Sequence, residues 1–191
     1  MSDKEVLQDF AQNILGKFGK LDFLINNACL SKAGLISGCS YEDFLYVQKI
    51  GVVAPYFLSL LFKEHFSNGG AILNISSSRQ IMSQADTESY SAAKGGIGSL
   101  THALAISFAG RIRVNAISPG WIDTTCSDLS EADKLQHPAG RVGIPEDIAK
   151  AAVFLCSPDS SFVTGQNIII DGGMSRLMIY HNDFGWKYEA D

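Results

Sequence analysis

Four short apolar runs, each closed by small polar residues or by Pro-Gly, and separated by segments of helical period, restrict this chain to an α/β architecture. Leu21–Asn26 ends in the amide pair Asn26-Asn27, and Ala71–Ser78 ends in hydroxyls. Arg113–Thr124 breaks at Pro119-Gly120, and Thr164–Gly173 closes on two glycines. The runs read as continuous rather than alternating, as strands buried on both faces of a parallel sheet do. Ser2 to Glu5 spells a capping box with Ser2 as N-cap, and Val6, Leu7, Phe10, Ile14, Leu15 and Phe18 follow at helical period up to Gly19. After a small-residue loop from Cys29 to Gly38, a second helix is predicted from near Ser40 to about Phe66. A kink is expected there at Gly51 and Pro55, since proline removes a helix hydrogen bond. A third helix spans Glu88 to Phe108, where Ala92, Ala93, Gly95, Gly96 and Gly98 permit close packing. A fourth opens at Pro145 and runs through Leu155. The result is a doubly wound parallel sheet with right-handed crossovers. Ligands bind such sheets beyond the carboxyl ends of the strands, which is where Asn26, Ser77 and Gly120 converge.

Composition excludes more than it assigns. With 191 residues and 46% hydrophobic content, the chain can bury one sizeable core. A net charge of −5 without a Lys/Arg run argues against a nucleic-acid surface. The longest apolar stretches are interrupted by Gly, Pro or charge, so no membrane span is expected, and Met1–Glu5 lacks a signal-peptide layout. Cys29, Cys39, Cys126 and Cys156 fit neither CxxC nor a metal-ligand spacing, and read as free buried thiols of a reducing cytoplasm. The scattered His65, His102, His137 and His181 read as surface or packing residues.

Chemistry concentrates in Tyr90-Ser91-Ala92-Ala93-Lys94. Residues four apart share a helix face, so the phenol and the ammonium point the same way. A cation close to a phenol favours its phenolate and brings its pKa down from about 10. A tyrosine tuned in this way can exchange a proton with an alcohol or carbonyl oxygen. Ser77, thirteen residues earlier at a strand end, is the hydroxyl placed to face both.

In this order and spacing, Asn26-Asn27-Ala28, Ser77, Tyr90-x-x-x-Lys94 and Pro119-Gly120-x-x-x-Thr124 resemble the classical short-chain dehydrogenase/reductase family from about residue 2 to Gly173. The resemblance implies a Rossmann-like fold and an NAD- or NADP-dependent interconversion of a small-molecule carbonyl and alcohol. It implies Tyr90 as general acid or base, Ser77 on the substrate oxygen, and Lys94 both lowering the Tyr90 pKa and bonding the nicotinamide ribose. Asn26 and Ala28, Pro119 and Gly120, the Ile122 backbone and the Thr124 hydroxyl are the further cofactor contacts it implies. No metal is expected, and a cytoplasmic homo-dimer or homo-tetramer is.

The chain also departs from the family. Cys29 stands where glycine is usual, and Gly51 where an asparagine holds a proton-relay water, which implies an altered relay. Arg141–Asp147 resembles the loop before the last large helix and reads as structural. No strand is followed by the glycine-rich turn that holds a pyrophosphate, so the fold is expected to lack its first strands and phosphate loop. The chain thus divides into an incomplete domain, residues 1–173, and an aromatic tail, residues 174–191, whose Tyr180, Phe184, Trp186 and Tyr188 call for burial on a partner or over the cleft. It reads as a truncated product with little affinity of its own for the dinucleotide. The alternative is a catalytically inactive fragment or paralogue serving as a binding or structural subunit.

Overall fold

The computed structural model describes residues 1–187 and 189. Among them, β1 (Leu21–Asn26), β2 (Phe66–Ile75), β3 (Arg113–Pro119) and β4 (Asn167–Ile170) form one parallel sheet in chain order. Asn26 lies opposite Asn74, Ile75 opposite Ile117, and Pro119 opposite Ile170, which brings the carboxyl ends of the strands to one edge. Helices α1 (Lys4–Phe18), α2 (Tyr41–Gln48), α3 (Ala54–Phe62), α4 (Glu88–Ser107), α5 (Glu131–Leu135) and α6 (Pro145–Cys156) make the connections.

The two faces of the sheet carry separate cores because side chains alternate along each strand. Leu7 and Ala11 of α1, Leu58 and Phe62 of α3, and Leu104 of α4 close over Leu24, Ile72 and Val114. On the opposite face, Leu155 and Cys156 of α6 close over Leu73 and Ile117. Arg141 forks onto Asp147 with two bonds of 2.7 Å, and Asp147 accepts the Ile144 N–H to cap α6. That guanidinium holds the Asp147 carboxyl far below the usual range. The loop before α6 is therefore structural.

Four expectations need correction. Strand β1 is not buried on both faces: Leu24 is covered, whereas Phe23 and Ile25 are half exposed. The strand lies at the edge of the sheet, and α6 packs chiefly against β2 and β3. The N-cap of α1 is Asp3 rather than Ser2, with its carboxylate accepting from the Glu5 and Val6 N–H groups. Val6, Phe10 and Phe18 stay exposed, because the stripe that meets α3 is Leu7, Ala11, Ile14 and Leu15. The second helix ends at Phe62, and Phe66 begins β2, where it pairs with Leu21.

The expected kink is a π-helical turn, Lys49–Val53, between α2 and α3. Pro55 has no N–H to give the Gly51 carbonyl, and the ladder re-registers so that Ala54 N–H reaches Lys49 O. By length and composition, Tyr41–Phe62 also qualifies as a membrane span. In the fold, however, it contains the π turn and packs against α1 and α4. Here Gly51 is a packing residue, since a Cβ at this position would lie 2.7 Å from the Ala93 Cβ. Gly51→Ala gains about 1 kcal/mol of helix propensity, but overpacking costs roughly 1–3 kcal/mol. A lower thermal midpoint is expected, and a raised one would show that α4 yields.

Candidate active site

Strand β2 and helix α4 bring the reactive groups together. Beyond Ile75 the chain leaves the sheet, and the Ser76 hydroxyl donates to the Lys94 carbonyl at 2.8 Å, tying strand end to helix. Ser77 caps a short 3₁₀ turn, with its oxygen accepting the Arg79 N–H at 3.2 Å. The same hydroxyl lies near the Tyr90 phenol, with which it lines one cleft. The loop from Cys29 to Gly38 is pinned beneath α4: Asp86 accepts from Ile36 and Ser37, and Glu88 accepts from Leu35. Gln48, just before the π turn, donates to the Ser89 carbonyl.

Lys94 is 3% exposed and its ammonium donates to the Ile75 carbonyl at 2.8 Å. It lies over the Tyr90 ring, 5.4 Å from the centroid, rather than on the phenol oxygen. This changes the electrostatics read from the sequence. The Tyr90 pKa is raised, not lowered: burial disfavours the phenolate and Cys29 adds to that, while Ser77 and Arg79 oppose. Burial likewise lowers the Lys94 pKa, against nearby Cys29, which pulls it up. The free protein therefore keeps Tyr90 as a neutral phenol at physiological pH. In ultraviolet titration, the difference between wild type and Tyr90→Phe should show ionisation only above the ordinary tyrosine range. Cys29→Ala should move it down, and an unmoved curve would exclude the thiol as a cause.

Around this centre, a buried chain runs from Asn26 to Asn74 (2.8 Å), on to Thr101 (3.0 Å) and then to the Ile97 carbonyl, joining β1, β2 and α4. Gly120 continues the β3–β4 pairing through Ile170 and lies so close to Asp171 that a Cβ would come within 2.5 Å. Ile122 bridges Gly143 through the flanking Trp121 carbonyl and Asp123 N–H, which leaves its own N–H and C=O turned away from that pairing. Ala28 and Thr124 are exposed beside the strand ends. Ser77, Tyr90, Arg79, Gly120 and Trp121 line a cleft of about 810 Å³.

Residues 1–175 match the family model described as enoyl-(acyl carrier protein) reductase. An uncharacterized oxidoreductase of Thermotoga maritima is 40% identical, covering 94% of this chain and 75% of its own length. The 3-oxoacyl-(acyl-carrier-protein) reductase FabG of Chlamydia pneumoniae is 35% identical, over 88% and 71%. The chain belongs to the short-chain dehydrogenase/reductase family. An apo SCOR enzyme from Clostridium thermocellum superposes with a TM-score of 0.93 at 44% identity, covering all of this chain and 77% of that one. A 4-hydroxyisoleucine dehydrogenase complexed with NADH gives 0.84 at 30% identity, over 93% and 79%. A blue fluorescent protein from a metagenomic library, in complex with NADPH, gives 0.83 at 28%, over 91% and 73%. The membership makes this chain an oxidoreductase with a nicotinamide-binding Rossmann-like fold.

The structure thus brings Ser77, Tyr90 and Lys94 together, and gathers Asn26, Ala28, Pro119, Gly120, Ile122 and Thr124 along the same sheet edge. Sequence reasoning missed Arg79, although its place two residues beyond Ser77 in a 3₁₀ turn was a usable signal. It also missed the reach of Cys29, which is exposed, as is Cys126, rather than buried; the four cysteines are unpaired. Among the described residues, no cluster of His, Cys, Asp or Glu could hold a metal ion. His137 is a packing residue, 2% exposed and tilted against Trp121. In the tail, Met174, Leu177 and Ile179 line the cleft, while Tyr180 and Phe184 are exposed; Tyr188 lies outside the described residues.

Proposed function

We propose that the chain interconverts a carbonyl and an alcohol with NAD or NADP, using Tyr90 as proton donor and acceptor. The observation that carries this reading is that Ser77 and Tyr90 line one cleft, with a buried ammonium over the Tyr90 ring. The donor set fits the nicotinamide-ribose half of a dinucleotide. Of the three N–H groups on Lys94, one goes to Ile75, which leaves donors that would serve a ribose hydroxyl. The Ile122 backbone would serve a carboxamide, and Asn26, Ala28, Pro119, Gly120 and Thr124 would border the same space. When bound there, the cofactor supplies or takes the hydride at the substrate carbon.

In reduction, the Ser77 hydroxyl donates to the substrate oxygen and polarises the carbonyl. Tyr90, kept neutral by burial, gives that oxygen its proton. The phenolate left behind is offset by Arg79 and by the ammonium of Lys94 under the ring. In oxidation the same groups act in reverse. Family membership and the convergence of the three side chains disfavour a purely structural role.

Exposed Tyr41, Tyr56, Leu60 and Ile106 on α2, α3 and α4 support a homo-dimer or homo-tetramer, which sedimentation velocity checks. Unpaired thiols support a cytoplasmic setting. The test of function is carbonyl-dependent loss of reduced-nicotinamide absorbance, with NADH and NADPH over a panel of ketones and aldehydes. A folded chain that oxidises neither donor with any carbonyl contradicts the proposal.

A further inference from the structure

Three side chains that lie outside the cleft lining close a ring behind Ser77. Gln80 Nε2 donates to the Ser118 hydroxyl at 2.7 Å, and that hydroxyl donates to Asn167 Oδ1 at 2.7 Å. Asn167 Nδ2 closes the ring by donating to Gln80 Oε1 at 2.8 Å. Each member gives one of these bonds and accepts one, so the three polarise one another. Ser118 is fully buried in β3 and Asn167 opens β4, so the ring ties the turn after β2 to both strands. Helix α4 presses on it from the side: a Cβ on Gly98 would come within 2.8 Å of Gln80 Oε1 and 3.5 Å of Asn167 Nδ2. Gly98 lies about two turns beyond Tyr90 on that helix.

Ser77 sits between two anchors on consecutive residues of β3. Before it, the Ser76 N–H donates to the Ile117 carbonyl at 2.7 Å; after it, Gln80 holds the Ser118 hydroxyl. The Gln80 backbone N–H also donates to the Ser77 carbonyl at 3.1 Å. The intervening 3₁₀ turn, Ser78–Gln80, is a short element of poor hydrogen-bond geometry and gives little support by itself. We infer that Gln80 is a positioning residue: clamped by Ser118 and Asn167, it holds the Ser77 hydroxyl at its working place beside Tyr90 and the substrate oxygen. This rests on the oxidoreductase reading of the cleft. A misplacement of about 1 Å costs roughly 10²-fold in rate, so the effect falls on turnover and not on cofactor binding.

Gln80→Met keeps the side-chain length and removes both amide bonds. Its kcat for carbonyl reduction should fall roughly 10- to 100-fold, while KM for the reduced nicotinamide changes by less than about 2-fold. Ser118→Ala, which leaves the turn's own residues intact, should lower kcat in the same direction. In a Ser77→Ala background, Gln80→Met should cost less than about 2-fold further, because its effect passes through the hydroxyl already removed. Hydrogen exchange reads the anchoring without turnover. The residue 80, Ile81 and Met82 amides, bonded within the turn, should exchange at least about 10-fold faster in Gln80→Met, with β2 and β3 unchanged. The inference is overturned if KM rises in place of a fall in kcat, if kcat is unchanged, if the loss persists in full without the Ser77 hydroxyl, or if the turn amides keep their protection. A wild-type chain inert with both nicotinamides would sink the oxidoreductase reading, whereas the exchange result still decides whether the ring holds the turn.

Discussion

Replacing Tyr90 with phenylalanine is expected to lower carbonyl reduction about 10²- to 10⁴-fold, the range that positioned proton transfer contributes. The substitution removes one oxygen and leaves the ring that Lys94 overlies. Losing the oxygen's interaction with Ser77 costs about 1 kcal/mol at most. Activity and stability therefore separate: the rate collapses while the thermal midpoint moves little. Rates normalised to folded protein check the first half, and thermal unfolding checks the second. A variant retaining a tenth or more of the wild-type rate would mean that water or another side chain supplies the proton.

The second large effect is expected at Lys94. Lys94→Met keeps the stem and removes the charge, so the phenolate formed in reduction loses the ammonium beneath its ring. A loss of at least about 10² in turnover is expected, along with weaker binding of nicotinamide mononucleotide. Stability responds differently. The Ile75 carbonyl loses its donor, which costs about 1–3 kcal/mol. In return, the fold no longer buries an ammonium whose lowered pKa shows that its desolvation is not fully repaid. The two effects oppose, and a net change within about 1 kcal/mol is expected. The pH dependence carries a sign. Between the lowered Lys94 pKa and the ordinary lysine value, the unfolded chain binds the proton that the folded chain has shed, so wild-type stability rises with pH relative to Lys94→Met. The raised Tyr90 pKa works the other way, its contribution holding below the ordinary tyrosine value and fading as pH climbs through the folded one. Parallel stability–pH curves for the two proteins would mean that Lys94 is not destabilised by burial.

Much of this was legible in the chain because the determining signals are local. Apolar runs ending in Asn26, Ser76 and Pro119 mark strands whose ends must meet at one edge, and the four-residue spacing of Tyr90 and Lys94 places both on one face of α4. What escaped depends on neighbours distant in sequence. Whether Phe23 is covered depends on where α6 packs, 120 residues on, and no periodicity within β1 encodes that. The form of the kink depends on how Pro55 re-registers the ladder against Ala93. The pKa of Tyr90 was misread because spacing gives proximity without direction: the ammonium turns to the Ile75 carbonyl, and burial then outweighs it. Arg79 carries no periodic signal; its nearness to Ser77 in sequence is all that marks it, and its place in the cleft lining shows only in the fold.

The most direct measurement of the proton-donating site is isotopic. Ketones would be turned over with NADH and NADPH deuterated at the reactive ring carbon, and the alcohol examined by mass spectrometry. The account requires deuterium on the carbinol carbon with the wild-type chain and a loss of labelled product with Tyr90→Phe. Equal labelling by both proteins, or none by a folded wild-type chain across the panel, would contradict it.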